Sequence, residues 1–372
     1  MAITRRSMAF GALALGAAGA AAALAAIGPK RLRNLATGGA IDQVTLWGFI
    51  GGEKLNLVRN RKIQDLLQRR HGITLDARRA GSVEMVSDAA LIGQHPQWLW
   101  PADEVLVELA RRNGLPVRRQ EPIFNSPLVL YSWMPIVEAL LAAGYVERRE
   151  KSYYVVKMAE LMQAISDGLA WRDVGVDNLY GRVIVTSTDP AKSNSGFSFA
   201  ALLANLFAGG VASSQTLARD LPKINSIFAR MGYKESSSGT LWNSYLNEGV
   251  GGKPLIVGYE SQLIEFMLAE PERWKTLQTA SIRPVLLYPI PTVSSSHPIV
   301  SLVEAADRLI PALMDPQFQE LAWSEHGFRK KDGSVGKNGP VFEGLAPLIS
   351  RVVPTPDANV MLALVERLSA PS

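Results

Sequence analysis

Short apolar runs alternate along this chain with longer stretches whose apolar positions recur every three or four residues. The first pattern marks strands and the second marks amphipathic helices. Val44–Ile50 is an apolar run that predicts a strand, followed by Gly51-Gly52-Glu53-Lys54. Leu55, Val58, Ile63, Leu66 and Leu67 then form an approximate helical stripe, ended by His71-Gly72. Ile73–Ala77 predicts a second strand, and Gly81-Ser82 a cap for a short helix. A helix is expected over Asp103–Arg112, ended by Asn113-Gly114. Ile123–Tyr131 predicts a strand in which Pro127 lacks a ladder donor, so it is interrupted, at an edge, or passing between sheets.

Helices are expected over Pro135–Ala143 and Val156–Ile165, and a strand over Val183–Ser187. A polar loop, Thr188 to Gly196, leads into an apolar helix through Phe207. Leu255–Gly258 and Val285–Pro289 predict two further strands. Helices over 299–313, 316–326 and Ala358–Leu368 complete the pattern. Strand–helix–strand repetition argues for an α/β fold with largely parallel sheets. At 372 residues the chain exceeds one ordinary domain, so two lobes are expected.

The N-terminus has a different pattern. Met8–Gly28 carries no charge, is rich in Ala and Gly, and follows Arg5-Arg6. Its weak apolarity fits the core of an export signal better than a robust membrane anchor. Thr4–Phe10 resembles a twin-arginine export signal, and Ala23-Leu24-Ala25 is a small-x-small cleavage site. Lys30, Arg31 and Arg33 follow, as they would after a retained anchor. The segment 1–28 is therefore expected to be a signal peptide or signal anchor, 29–41 a tether, and the protein exported, periplasmic or extracytoplasmic.

Charge narrows the partners. Of the formal net charge of +5, five basic residues precede the first acid, Asp42, so the remainder is near neutral. No basic stripe with aromatic support marks a nucleic-acid surface. The chain has no cysteine, which excludes thiol catalysis and Cys-ligated zinc. His71, His95, His297 and His326 show no metal-ligand spacing. No nucleophile elbow occurs, since Gly258-Tyr259-Glu260-Ser261 does not fit G-x-S-x-G. Gly249–Pro254 fails as a phosphate loop: Asn247 holds the first glycine position and Pro254 replaces Ser/Thr. A binder is expected, with no catalytic residue, metal or cofactor.

A strand, a small polar loop and a helix start recur at Gly51-Gly52-Glu53, Gly81-Ser82, Ser193-Asn194-Ser195-Gly196, Ser236–Thr240 and Tyr259-Glu260-Ser261. Helix N-termini offer free N–H groups and about half a positive charge, so several converging on one crevice bind an anion. Taken singly, each Ser or Asn is an N-cap. Trp47 and Trp100 are expected in the core, or in a wall of the crevice.

These segments, in this order, resemble the type 2 periplasmic solute-binding proteins, the receptor subunits of ABC importers. Val44–Lys54 resembles their first strand and glycine-rich ligand loop, and Ile123–Leu130 the crossover into the second lobe. Thr188-Asp189-Pro190 with Ser193–Gly196 resembles the second lobe's ligand loop, and Pro254–Ser261 the strand and loop that close the site. Tyr288-Pro289, Gln317–Ala322 and Gly327-Phe328-Arg329 resemble the return to the first lobe. The resemblance implies a two-lobed type 2 fold, each lobe a mixed, mostly parallel sheet flanked by helices, with a hinge between. Lobe one would be 42–130 plus 286–372 and lobe two 131–285, with hinges near 127–133 and 283–289. The tail 331–372 would pack as a final helix on lobe one. A small anion, an oxyanion or a carboxylate, would bind at Gly51, Gly52, Glu53, Ser82, Ser126, Ser193, Asn194, Ser195, Gly196, Tyr259 and Glu260. Its partners would be ABC importer membrane subunits. The alternative is a membrane-anchored sensor or scaffold that reuses the fold without transport.

Overall fold

The computed structural model describes residues 41–369, apart from 151, 340, 341 and 350. The export segment, nearly all of the tether and the last three residues lie outside the described residues. Among the described residues no helix is long and apolar enough to cross a membrane.

The strands fall into two sheets, one per lobe. The first has the order β2-β1-β3-β11-β4: Ile73–Arg79, Val44–Ile50, Trp98–Trp100, Pro298–Ser301 and Arg119–Pro122. β1 pairs parallel with β2 and β3, while β11 is antiparallel to β3 and β4. The second has the order β10-β5-β9-β7-β6, with β8 also on β5: Ser294–Ser295, Ser126–Trp133, Pro284–Ile290, Tyr153–Lys157, Val146–Arg149 and Leu255–Tyr259. β5 is antiparallel to β8, β9 and β10, β6 to β7, and only β7 and β9 are parallel. Both sheets are mixed, but antiparallel pairings outnumber the expected parallel ones. The chain enters the second lobe along β5 and leaves along β9 in the opposite direction, which sets that sense.

β5 is buried along its whole length, as a strand flanked on both sides must be. Pro127 sits at the end where the two-residue β10 is its neighbour, so its missing N–H interrupts little. β5 and β9 lie whole in the second sheet; residues 126–130 and 286–290 thus go with it rather than with the first. Val183–Ser187 is not a strand: it forms a bridge, Thr186 to Ile256, with N–H···O distances of 2.9 Å on each side. Pro298–Ser301 is a strand rather than the start of a helix. The expected helix after Gly52 breaks at Asn60, whose side chain accepts from Lys62 N and starts a second helix, Arg61–His71.

The C-terminal helix, Ala358–Ser369, does not rest on lobe one alone. It packs on the helix Glu104–Arg112 of the first lobe and on Asn194–Ala208 and Ser214–Arg230 of the second. Its stripe, Ala358, Val360, Met361 and Leu364, is buried there. One apolar cluster consequently joins Leu99, Leu106 and Met85 of the first lobe to Val129, Phe199 and Met361.

Candidate functional site

The carboxyl end of β1 delivers the chain to Gly51 and Gly52 at the edge of a cleft between the lobes. A Cβ on Gly51 would lie 2.5 Å from the Glu53 carboxylate, so only glycine lets that side chain fold back. The Glu53 carboxylate takes an ion pair from the fully buried Lys54. Lys54 Nζ also lies 3.2 Å from His297 Nδ1. Burial lowers the Lys54 pKa, opposed by the Glu53 charge. Burial, with Lys54 adding to it, holds His297 well below the usual imidazole range. Beneath the glycine turn lies a polar knot walled by Phe124, Tyr259 and Phe328.

β2 ends at Arg79, and Ala80-Gly81-Ser82 follows it into the cleft. Gly81 faces the other lobe: a Cβ there would stand 2.2 Å from Lys192 O. The lobes therefore meet at this point. Arg79 is exposed and has no ion pair or side-chain hydrogen bond among the described residues.

The second lobe contributes the loop after Thr188. Asp189 organises it, its Oδ1 accepting from Ala191 N at 2.9 Å and its backbone O from Ser193 N at 2.9 Å. Lys192 Nζ is 3.9 Å from the Asp189 carboxylate and stays exposed. Ser193 stands at the N-cap of Asn194–Ala208 but makes no side-chain cap bond. Asn194 Nδ2 lies near three hydroxyl oxygens, Tyr259 (2.8 Å), Ser295 (3.0 Å) and Ser198 (3.1 Å). Its Oδ1 is buried without a partner. An unsatisfied buried amide oxygen costs free energy.

Gly51, Gly52, Glu53, Arg79, Gly81, Ser82, Glu84, Lys192, Ser193 and Asn194 surround a cavity of about 490 Å³, closed on its far side by Ser236–Thr240 and Asn243. A second cavity of about 280 Å³ continues from it past Gly52, Glu53, Ser238, Gly239 and Asn243. Asn56, Asn247, Gln262 and Glu265 line its polar side, and Trp242 and Phe266 its apolar side.

Six of the eleven expected residues thus meet at the first cavity: Gly51, Gly52, Glu53, Ser82, Ser193 and Asn194. The other five do not line it. Ser195 is fully buried, its Oγ 2.7 Å from Thr188 Oγ1, and ties the loop to its helix. At Gly196 a Cβ would lie 2.3 Å from Thr188 O, so the loop's own packing requires glycine there. Tyr259 sits below Asn194, and burial raises its phenol above the usual range, with the Glu53 charge adding to this. Glu260 is 1% exposed and locked in a two-point pair with Arg329, at 2.6 and 2.8 Å. Ser126 is buried in β5, its Oγ unpartnered. Trp100 is buried against Phe124, and Trp47 lies under Arg78; neither lines the cleft.

Arg79 and Lys192 are the two cations among the cleft residues that sequence reasoning missed, which also include Glu84 and Asn243. Their signal was present: each sits at a loop already singled out, one at the end of β2, the other just before Ser193. Among the described residues no group of three His, Cys, Asp or Glu side chains is placed to hold a metal.

No protein-family model matches the chain, and no curated protein matches its sequence. Solved structures do match in fold. Iron-bound HitA from Pseudomonas aeruginosa superposes with a TM-score of 0.54 at 14% identity, covering 88% of this chain and 100% of that one. The periplasmic binding protein AfuA from Actinobacillus pleuropneumoniae, with exogenous fructose-6-phosphate bound, gives 0.52 at 11% identity, covering 88% and 98%. Apo ferric ion-binding protein A from Pasteurella haemolytica gives 0.53 at 11% identity, covering 88% and 96%. The chain has the two-lobed α/β fold of type 2 periplasmic binding proteins.

Proposed function

We propose that this chain is an extracytoplasmic solute-binding protein that captures an organic anion in its interlobe cleft for an ABC importer. The carrying observation is convergence: loops from both lobes, far apart in sequence, meet around the 490 Å³ cavity and bring Arg79 and Lys192 with them. Serine hydroxyls and the two cations would form the anion-binding wall. The carboxylates of Glu53 and Glu84 line the same cavity as acceptors, so the ligand also carries donors such as hydroxyls.

Size narrows the class. Cavities of about 300–1,000 Å³ hold metabolite- or drug-sized ligands, and this one continues into a second. A bare oxyanion would leave most of it to water. A phosphorylated or carboxylated polyol fits both the charge and the volume, and one structure of this fold, AfuA, holds a sugar phosphate. No bond is made or broken in this reading. Closure about a hinge in 123–125 and 296–297, where the chain passes between the sheets, would signal occupancy to the importer.

The test is a thermal-shift and titration panel of hexose phosphates, sugar acids, inorganic phosphate, sulfate and free hexoses. A ligand at 100 times its dissociation constant adds about 2.7 kcal/mol of stability. An anionic polyol should stabilise the protein, and Arg79→Ala and Lys192→Ala should each weaken that effect. Stabilisation by free hexoses as strong as by their phosphates would overturn the anionic assignment. Silence across the whole panel would overturn the class, and would favour a scaffold that keeps the fold without this ligand.

A further inference from the structure

The C-terminal segment ties the two lobes together behind the cleft. It first pairs with the turn between β9 and β10, with Thr292 N donating to Arg351 O at 2.9 Å and Val353 N to Thr292 O at 2.8 Å. The next two residues then bind opposite lobes. Pro354 O accepts from Asn205 Nδ2 of the second lobe at 2.8 Å. Thr355 Oγ1 donates to Asp103 Oδ2 of the first lobe at 2.8 Å. Asn205 and Asp103 are both buried, so each lobe offers the segment a fixed partner.

The helix that follows repeats the arrangement with apolar contacts. Met361, Leu362 and Val365 meet Val83, Leu106 and Leu109 of the first lobe and Phe197 of the second around a gap of only about 20 Å³. Val83 directly follows Ser82, and Phe197 lies one turn beyond Asn194. Both are the next layer behind residues that line the cleft. Because Val83 and Phe197 lie within one turn of Ser82 and Asn194, a rotation that parts the cleft pair carries Val83 away from Phe197 in the same sense. The C-terminal helix can follow only one of them, so opening strips its buried stripe from the other. Apolar burial of this kind favours the state that keeps it.

From this geometry we infer that residues 354–369 are a latch that biases the chain toward the closed cleft and so sets ligand affinity from outside the binding cavity. The affinity of a two-state receptor scales with the fraction in the competent state. The latch therefore acts on binding without touching the ligand. This inference does not depend on the identity of the ligand or on its charge.

The chain has no cysteine, so a labelled pair can be introduced cleanly. Gln68→Cys, on an exposed position of the first lobe, and Tyr180→Cys, 94% exposed on the second, would carry spin labels. Interlobe distances would be measured without ligand in the full chain, in a chain ending at Val353, and in full-length Thr355→Val/Met361→Ala. The full chain should give a narrow distribution. Truncation should lengthen and broaden it, and the double variant should do so to a smaller degree. Circular dichroism identifies folded samples. Should the truncated chain not fold, the double variant decides alone. Distributions that coincide with the full chain's in every folded variant would overturn the latch, as would a full chain already as broad as the variants.

Discussion

Glu260 separates a binding role from a structural one, and a single substitution tests the distinction. Its carboxylate receives Arg329 Nε at 2.6 Å and Nη2 at 2.8 Å, and the Tyr288 hydroxyl donates to it as well. Both members of the ion pair are 1% exposed. Arg329 also donates to the carbonyls of Gly333, Ala346 and Pro347, so the pair anchors the strand-to-helix turn after β8 to the late segment of the chain. Glu260→Gln keeps the shape and removes the charge, leaving a buried guanidinium without its counter-ion. Breaking a buried pair in this way costs about 3–5 kcal/mol. The three carbonyls still hold Arg329, which places the expected loss toward the lower end of that range. Urea unfolding would show it as a fall in midpoint at unchanged slope. Affinity of the folded variant for whatever ligand the wild type binds should be unaltered, because Glu260 does not line the cavity. A variant with wild-type stability and lost affinity would refute this reasoning and return Glu260 to the site.

Two further outcomes follow from the same geometry. Gly196→Ala should destabilise the chain by about 1–3 kcal/mol, the usual cost of overpacking, since its Cβ would press on Thr188 O; Ser195→Ala should likewise lower stability with affinity intact, and denaturant midpoints beside titrations would check both. His297 has a folded-state pKa depressed by burial, so the unfolded chain takes up its proton first; stability should fall as pH drops below about 6.5, and a pH series of unfolding midpoints should flatten in His297→Phe relative to wild type.

The strand and helix periods were written locally, and that part of the fold was legible in the sequence. β1, β8 and β9 are apolar runs long enough to declare themselves, and Gly51 and Gly52 sit where the first of them ends. The loop-at-strand-end logic grouped the candidate loops because the carboxyl ends of neighbouring strands share one side of a sheet. It did not separate the residues that face the cleft from those that face the core. Ser193 and Ser195 are two positions apart in one loop, yet one lines the cavity while the other bonds Thr188. That choice depends on the turn Asp189 imposes and on Glu235 O holding Asp189 N. Glu260 resembled a loop acid until Arg329, 69 residues later, arrived beside it. The C-terminal helix carried a clear apolar stripe, but a stripe does not name its partner. Sequence determines which face of an element must be buried, because periodicity is a property of the element alone. Only the tertiary structure decides against what it is buried, because that contact is made by residues with no local relation to it.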